Sequence, residues 1–306
     1  MDKKINRILG SVLGLALGDA FGAPYEGGLL ERGLWKLLGK TDGKKRWTDD
    51  TQMTINVIES LIEHGAIRQD DLARRFAESY RWSRGYGPGA AKLLNRIKSG
   101  QSWQKANRSV FRGGSFGNGG AMRAPAIGLF FAEKGDEVIL KATKQCAEIT
   151  HAHPLGLEGA GLIALATSLS LKDMSSIEII NRLQRVSNST DVTTRLDKAK
   201  DWLCLSQPET PKIVAKELGN GITAVESCVS AIYIGLVHRQ KSFDDLIEYT
   251  IKIQGDVDTI AAMAGAIWGA ARGYEDLPPA KLEKLEQFEE LKGLAQSLAD
   301  KIQRHS

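Results

Sequence analysis

The sequence predicts an all-α fold, and three observations carry this prediction. Nearly every periodic segment of the 306 residues places apolar side chains at helical spacing. Alternating apolar and polar runs, which indicate strands, are scarce. No proline- or serine-rich linker divides the chain, and acidic clusters near both ends are suited to forming parts of one site. We therefore predict a compact helical bundle that forms a single domain over residues 1–306.

The helix boundaries follow from apolar periodicity together with capping residues, glycines and prolines. The predicted helices cover 6–21, 49–64, 70–83, 90–98, 120–133, 136–149, 156–171, 176–187, 191–205, 210–218, 223–238, 243–253, 258–273 and 279–304. The last of these follows Pro279 and is rich in Glu and Lys, with leucines at helical spacing. We predict that it is an amphipathic brace on the outside of the domain.

The first predicted helix carries a row of glycines at every fourth position. They are Gly10, Gly14, Gly18 and Gly22. Glycine inside a helix costs about 1 kcal/mol relative to alanine, so the row favours close packing against another backbone. The segment 258–273 is rich in alanine and glycine and is the expected partner. The first helix is therefore expected to be central and buried.

Composition argues against several classes of partner. Lys and Arg number 41 and Asp and Glu 37, a net charge of +4, and the basic residues are scattered. We expect no binding of nucleic acid through a basic surface. No apolar segment reaches transmembrane length without charge, so we expect no membrane partner. Three widely spaced cysteines fit a reducing compartment. The expectation is a cytoplasmic monomer.

Two short acidic clusters lie at the starts of predicted helices. Thr48-Asp49-Asp50-Thr51 opens 49–64, and Asp256-Val257-Asp258-Thr259 opens 258–273. Helix capping is the alternative interpretation for either cluster taken alone. The repetition of the pattern favours a metal site, because clustered carboxylates need a compensating cation and oxygen ligands suit Mg²⁺ or Mn²⁺. If the fold brings the clusters together, four carboxylates and two threonine hydroxyls suffice for two ions.

Residues 113–120 form a glycine-dense loop before the predicted helix 120–133. Such a loop can turn successive N–H groups toward an anion. A flexible turn is the alternative interpretation, and the loop is not a P-loop because no Gly-Lys-Ser/Thr follows. Phe116 is the apolar exception within the loop, suited either to covering a base or to filling the core.

Two further residues are candidates for function. His151, in Thr150-His151-Ala152-His153, is expected to stack on a ligand or hydrogen-bond to it, with a capping or core role as the alternative. No further Cys/His cluster completes a zinc site. Glu26 lies in a glycine-flanked loop after the first helix and is a candidate gate or general base. The alternative is a solvated loop glutamate.

Six motifs occur in an order that resembles the ADP-ribosylglycohydrolase family. They are Gly-x-x-x-Gly-x-x-x-Gly-Asp in the first helix, Trp47 to Met53, Gly117 to Arg123, Thr150 to Ala152, Ala224 to Ser227 and Gly255 to Ala261. The resemblance spans roughly residues 6–273. The family includes the dinitrogenase-reductase-activating glycohydrolase and the ADP-ribosyl-arginine and ADP-ribosyl-serine hydrolases. The resemblance implies an orthogonal all-α bundle with a binuclear Mg²⁺ or Mn²⁺ centre.

The resemblance also implies roles for individual residues. The implied metal ligands are Thr48, Asp49, Asp50, Asp256, Asp258 and Thr259, with Asp258 between both ions. The implied ligand-binding residues are Gly114, Ser115, Phe116, Gly117, Asn118, Gly119 and His151. The implied catalytic residues are Glu26, Asp49, Asp50 and Asp258. Val257 stands where the family more often has a small residue, and its side chain is not an expected ligand.

The implied activity is metal-dependent hydrolysis of the glycosidic bond between ADP-ribose and an acceptor. The expected substrate is ADP-ribosyl-arginine on a protein, and the expected product is ADP-ribose. An oxocarbenium-like transition state requires a positioned water and nearby negative charge, which these residues can supply. The alternatives are another ADP-ribosyl linkage (serine, nucleic acid or small molecule), two-metal phosphoester hydrolysis, or a toxin-neutralising or structural member of the same fold.

Overall fold

Helices make up most of the part of the chain that the computed structural model describes, which is residues 1–28, 32–33, 35 and 39–305. The all-α prediction is therefore confirmed. The helices are α1 Lys3–Gly22, α2 Asp49–His64, α3 Gln69–Ser79, α4 Pro88–Lys98, α5 Trp103–Val110, α6 Pro125–Phe130, α7 Asp136–Ala147, α8 Pro154–Leu171, α9 Ser176–Val186, α10 Thr190–Leu203, α11 Pro211–Glu217, α12 Ala224–Val237, α13 Phe243–Ile253, α14 Val257–Arg272, α15 Pro279–Leu282 and α16 Phe288–His305. A short antiparallel hairpin pairs β1, Lys40–Thr41, with β2, Lys44–Lys45.

The glycine row of α1 packs directly on α14, as the sequence predicts. A methyl carbon placed on Gly14 would lie 2.4 Å from the carbonyl oxygen of Gly265, and one placed on Gly18 would lie 2.1 Å from that of Ala261. At Gly22 the same carbon would lie 2.7 Å from Asp258 Cα. Any side chain would therefore separate the two helices. This close approach brings the end of α1 against the start of α14.

The hydrophobic core lies on both sides of this helix pair. One part is built mainly from α8, α12, α13 and α14, and the other from α2 to α7 with the C-terminal helix. Two segments, Lys3–Tyr25 and Pro154–Leu171, are long and apolar enough to cross a membrane by length and composition. Their apolar windows are 83% and 78% buried inside the protein. Such burial is typical of helices in a protein core.

Three predicted elements differ from the structure. Helix α5, Trp103–Val110, was not predicted. The predicted helix 120–133 is a 3₁₀ turn, Asn118–Gly120, followed by α6, which begins only at Pro125. The predicted brace 279–304 is interrupted between α15 and α16. The interruption has a physical reason, because this segment pairs with β2 through Lys45 N–H donating to the Lys284 carbonyl (2.6 Å) and Glu286 N–H donating to the Lys45 carbonyl (2.9 Å).

The interrupted segment also supports Trp47, which lies two residues before α2. Glu286 accepts a 2.6 Å hydrogen bond from Arg84. The Arg84 guanidinium lies 3.5 Å from the centre of the buried Trp47 ring, and it donates a 2.8 Å hydrogen bond to the Trp47 carbonyl. The C-terminal segment thus helps to fix the start of α2.

Candidate metal and nucleotide site

Asp19 of α1 anchors the start of α2 from inside the core. It is fully buried. Its carboxylate accepts hydrogen bonds from the N–H groups of Thr48 (2.9 Å) and Thr51 (3.0 Å) and from the Thr51 hydroxyl (2.6 Å). Thr48 in turn caps α2, its hydroxyl accepting from Asp50 N–H at 3.3 Å. A buried carboxylate thus takes up helix-start N–H groups that lack partners within the helix.

Asp256 and Asp258 are held at the start of α14, which faces the start of α2. Asp256 N–H donates to the Asn220 carbonyl at 2.9 Å. The Asp256 carboxylate accepts a hydrogen bond from the Asn118 side chain, which also donates to Ser227 Oγ at 3.0 Å. Asp258 accepts from Thr259 N–H at 2.8 Å. Side chains from three separate segments therefore meet at the first turn of α14.

The structure brings the two acidic clusters together, around two groups of three carboxylates. One group is Asp19, Asp50 and Asp258, and the other is Glu26, Asp256 and Asp258. Within each group the oxygens that could bind an ion all lie within 4.8 Å of one another. Asp258 belongs to both groups. This is the arrangement expected of neighbouring cation sites that share one ligand.

Burial changes the acidity of these carboxyl groups. It raises the pKa of Asp19 to about 6 and that of Asp256 to about 7. Burial, reinforced by neighbouring carboxylates, raises the pKa values of Asp49, Asp50 and Asp258 well above their usual range. Desolvation and like charge both disfavour ionisation. The cluster is therefore electrostatically unfavourable unless protons or cations bind.

The carboxylates of the two groups suit divalent cations, because no nearby protein cation neutralises their charge in the described structure. Asp50 Oδ2 is buried and has no hydrogen-bond partner within the described ranges. None of the salt bridges found among those residues neutralises a member of either group. Carboxylate and hydroxyl oxygens are the hard ligands that Mg²⁺ and Mn²⁺ prefer. Both groups thus have the donor chemistry of a divalent-metal site.

The remaining predicted ligands lie beside the two groups. The Thr259 hydroxyl donates to Asp50 Oδ1 at 3.4 Å. Asp49 lines the cavity described below, next to Gly85, but belongs to neither group. Thr48 uses its hydroxyl to cap α2. Their roles as metal ligands remain predictions.

The glycine loop forms the other wall of the same cavity. Gly114 adopts a left-handed conformation with φ +80°, and a methyl carbon placed on it would lie 2.3 Å from His153 N. The following residues pair with another segment, since Ala224 N–H donates to the Phe116 carbonyl and Asn118 N–H donates to the Ile222 carbonyl, both at 3.0 Å. The loop is a fixed wall. Since α6 starts at Pro125, the expected helix N-terminus at Gly120 is absent.

His151 packs its ring on this loop. A methyl carbon placed on Gly119 would lie 2.6 Å from His151 Cε1, so the ring needs the glycine. Partial burial and the charge of Arg123 lower the pKa of His151 to about 3. Ile222 lines the cavity and is 69% exposed. Phe116 is 54% exposed and contacts His153 edge to face, and neither Phe116 nor Gly114 is among the residues that line the cavity. The two exposed apolar side chains, Ile222 and Phe116, offer surface to a flat ligand.

One cavity of ≈ 290 Å³ joins the acidic groups to the loop. Its lining includes Glu26, Asp49, Asp50, Asp256, Asp258, Thr259, Ser115, Gly117, Asn118, Gly119, His151 and Ile222. The volume is close to the lower limit of about 300 Å³ for small-molecule sites. Carboxylates at one end and the glycine loop at the other suit a ligand with hydroxyl groups at one end and phosphate at the other.

Sequence reasoning missed three residues that shape this site. They are Asp19, Arg123 and Thr150, all buried. Asp19 had a detectable signal, because an aspartate directly after Gly18 interrupts an otherwise apolar helix. Arg123 and Thr150 lie within the quoted motifs, beside the glycine loop and His151, but no signal in the sequence indicated a role for either of them.

Comparison with known proteins agrees with this geometry. Two proteins named ADP-ribosylhydrolase ARH3, from Danio rerio and Mus musculus, are 32% and 35% identical, and the matches cover 97% and 99% of this chain and 90% and 94% of those proteins. A solved structure described as an ADP-ribosylglycohydrolase-related protein complex has the same fold, with a TM-score of 0.75 at 23% identity over 98% of this chain and 99% of that one. The family model described as ADP-ribosylglycohydrolase matches residues 1–306. The chain therefore belongs to the ADP-ribosylglycohydrolase family of glycoside-hydrolysing enzymes.

Proposed function

We propose that this chain hydrolyses the glycosidic bond between ADP-ribose and a protein side chain, with two divalent cations, Mg²⁺ or Mn²⁺, in the acidic cluster. The observation that carries the proposal is the single cavity that joins two carboxylate groups sharing Asp258 to the glycine loop. A diphosphate held at the loop would place the distal ribose beside the carboxylates. Binding energy from the nucleotide would then orient the bond to be broken.

The metal sites would be formed by Asp19, Asp50 and Asp258 on one side and by Asp256 and Asp258 on the other, with Glu26 beside the second pair. When bound there, divalent cations supply Lewis-acid polarisation of water and orientation of ribose hydroxyls. Among the predicted ligands, Thr259 is close enough to contribute its hydroxyl, since it already approaches Asp50 at 3.4 Å. Asp19 is an additional proposed ligand, beyond those that the sequence predicts.

Glu26 is the protein group best suited to accept a proton from the attacking water. It follows the 3₁₀ turn Ala23–Tyr25 that ends α1, and its carboxylate reaches Asp256 and Asp258 while remaining only half buried. A general base must lie within hydrogen-bond reach of the water that it activates. Glu26 meets this requirement for a water bound at the acidic cluster, because its carboxylate oxygen lies within 4.8 Å of those of Asp256 and Asp258.

The glycine loop and His151 would hold the nucleotide. Backbone N–H groups on glycine loops bind phosphate oxygens because no Cβ prevents close approach. Ile222, which lines the cavity, and Phe116, which is exposed on the loop, would contact the adenine. The loop therefore binds the end of the substrate that is not cleaved.

An arginine acceptor is the finer part of the proposal. Arginine as the acceptor rests on the resemblance to bacterial-type family members. The proteins named ARH3 are also similar to this chain, over nearly its whole length. Tyr25, which is 42% exposed beside Glu26, would lie next to the acceptor. A panel of substrates decides between arginine and the other linkages.

The test is a product assay on peptides ADP-ribosylated at arginine, serine or cysteine and on ADP-ribosylated nucleic acid. Each substrate is incubated with Mg²⁺, with Mn²⁺ or with a chelator, and Asp258→Asn serves as the inactive control. We expect free ADP-ribose with its diphosphate intact, fastest from arginine, and no product with the chelator. Release of AMP would contradict glycosidic cleavage, and faster cleavage of another linkage would replace arginine as the acceptor.

A further inference from the structure

Arg123 is a buried cation placed directly behind the glycine loop. Its side chain is 0% exposed, and it donates hydrogen bonds to the carbonyls of Gly119 and Cys146 and to Thr150 Oγ1, the last at 2.8 Å. No salt bridge to a carboxylate was found for it over the described ranges. A buried charge without an opposite charge is costly. An anionic ligand on the loop would provide that opposite charge.

The hydrogen bonds of Thr150 fix the direction of its hydroxyl group. Thr150 is buried, and its Oγ1 has two partners in the described structure, the Arg123 guanidinium and His151 Nδ1, each at 2.8 Å. Arginine can only donate, so Thr150 accepts from Arg123. Its own hydrogen must then go to His151 Nδ1, because otherwise a buried donor would lack a partner. His151 Nδ1 is therefore an acceptor.

This assignment determines which nitrogen of His151 carries the proton. A neutral imidazole with Nδ1 as acceptor has its hydrogen on Nε2. His151 lines the cavity, and its Nε2 lies on the side of the glycine loop, where methyl carbons placed on Gly117 and Gly119 would be 3.4 and 3.0 Å away. The Nε2–H bond therefore faces the region assigned to the diphosphate.

We propose that Arg123 and Thr150 are positioning residues that hold His151 as the neutral Nε2–H tautomer, so that His151 donates a hydrogen bond to a phosphate oxygen of the ADP-ribosyl group. The contact with ADP-ribose rests on the proposed function, whereas the tautomer rests on the hydrogen bonds alone. The lowered pKa of His151, to about 3, is consistent with a neutral ring. The loop therefore gains a directed donor from His151 and a fixed positive charge from Arg123.

The first experiment measures the tautomer in the metal-loaded protein without nucleotide. Histidine labelled with ¹⁵N gives different shifts for protonated and unprotonated ring nitrogens, and His151→Gln identifies the His151 signals. We expect Nε2 protonated and Nδ1 unprotonated in the wild type and in Thr150→Ser. Thr150→Val should shift His151 toward a mixture of tautomers. A wild-type ring protonated on Nδ1 would overturn the proposal, whatever the folding of the variants.

The second experiment measures ADP-ribose affinity by calorimetry. Loss of one directed hydrogen bond should weaken binding about fivefold in Thr150→Val, and Thr150→Ser should restore most of the affinity. Equal affinity in Val and Ser variants that both fold would overturn the link between Thr150 and ligand. If wild-type protein binds no ADP-ribose, the proposed function fails, while the NMR result still decides the tautomer.

Discussion

At the scale of single residues, Asp258 connects the two halves of the candidate site. It is the carboxylate that belongs to both groups, whereas Asp50 and Asp256 each belong to one. The hierarchy follows from how many of the two ions would lose a ligand when each carboxylate is replaced. Substitutions at these positions should therefore have unequal effects on metal binding.

We expect Asp258→Asn to weaken binding of both Mg²⁺ or Mn²⁺ ions, because the amide removes a charge from each group. Asp256→Asn, the matched control, should weaken one ion and spare the other. Calorimetric titration with elemental analysis gives the stoichiometry of each variant. Two ions bound to Asp258→Asn with unchanged affinity would disprove the shared-ligand arrangement.

Glu26→Gln tests the general-base role. Turnover should fall by roughly 10²–10⁴-fold while ADP-ribose affinity changes little, because the amide cannot take a proton. Steady-state kinetics and calorimetry on one preparation separate these effects. A comparable loss of affinity would instead indicate a gate that controls entry, and wild-type turnover would exclude both roles.

At the scale of elements, the contact between α1 and α14 fixes the relative position of the acidic clusters. The glycines that allow it lie one turn apart, and the last of them packs on Asp258 Cα. A change in the separation of these helices would move Asp19 relative to Asp258. The stability of the helix pair and the geometry of the site are therefore coupled.

Gly14→Ala should destabilise the protein, because the added methyl carbon would lie 2.4 Å from the Gly265 carbonyl oxygen. Overpacking of this kind costs about 1–3 kcal/mol. Gly293→Ala in α16 is the matched control, since nothing lies within 4 Å of its added methyl carbon. There the better helix propensity should raise stability by about 0.5–1 kcal/mol. Chemical denaturation measures both changes, and equal effects would show that α1 packs loosely.

Sequence reasoning correctly predicted helices whose start signals are local. It did not predict features that depend on tertiary contacts. The starts of α2 and α14 carry capping residues and acidic first turns, and both helices were predicted within one residue of their observed ends. The break before α16 arises from the pairing of Glu286 with Lys45. No periodicity in the sequence reports such a distant backbone contact.

At the scale of the whole molecule, the acidic cluster links stability to pH and to metal. The folded-state pKa values of Asp19 and Asp256, about 6 and about 7, lie above the ordinary value of 3.8. At these two carboxyl groups the folded state binds more protons than the unfolded state, so their contribution to stability falls as pH rises from 3.8 through about 7. The lowered pKa values of His151 and His238, about 3 and about 4, act in the opposite direction below the ordinary histidine value of 6.5.

Chelator-treated protein should accordingly melt at a lower temperature at pH 8 than at pH 6.5, because in this range the carboxyl groups lose protons while the histidines contribute little. Mg²⁺ at 100 times its Kd should add about 2.7 kcal/mol for each ion bound at pH 8, with less gain at pH 5, where protons compete for the carboxylates. Thermal unfolding across this pH range, with and without metal, measures both effects. A chelated protein most stable at pH 8 would contradict the assignment.

The fold class and most of the site follow from the sequence because their residues cluster locally at helix starts. Among the predicted site residues, Gly114 and Phe116 do not line the cavity, whereas the following do: Glu26, Asp50, Asp256, Asp258, Ser115, Gly117, Asn118 and Gly119. Asp19 was not predicted as part of the site, because its partners Thr48 and Thr51 lie 29 and 32 residues away at the start of α2. The relay from Arg123 to His151 depends on hydrogen-bond directions that a sequence does not encode.

The packing of α1 on α14 also has a consequence for biosynthesis. The two helices lie near opposite ends of the chain, so the glycine face of α1 has no partner until the ribosome has added about 240 more residues, which takes roughly 10–50 s. During that interval Asp19 is already made but Asp258 is not. The nascent protein therefore cannot assemble the proposed cation sites before then, and metal capture would be among the last events in its maturation.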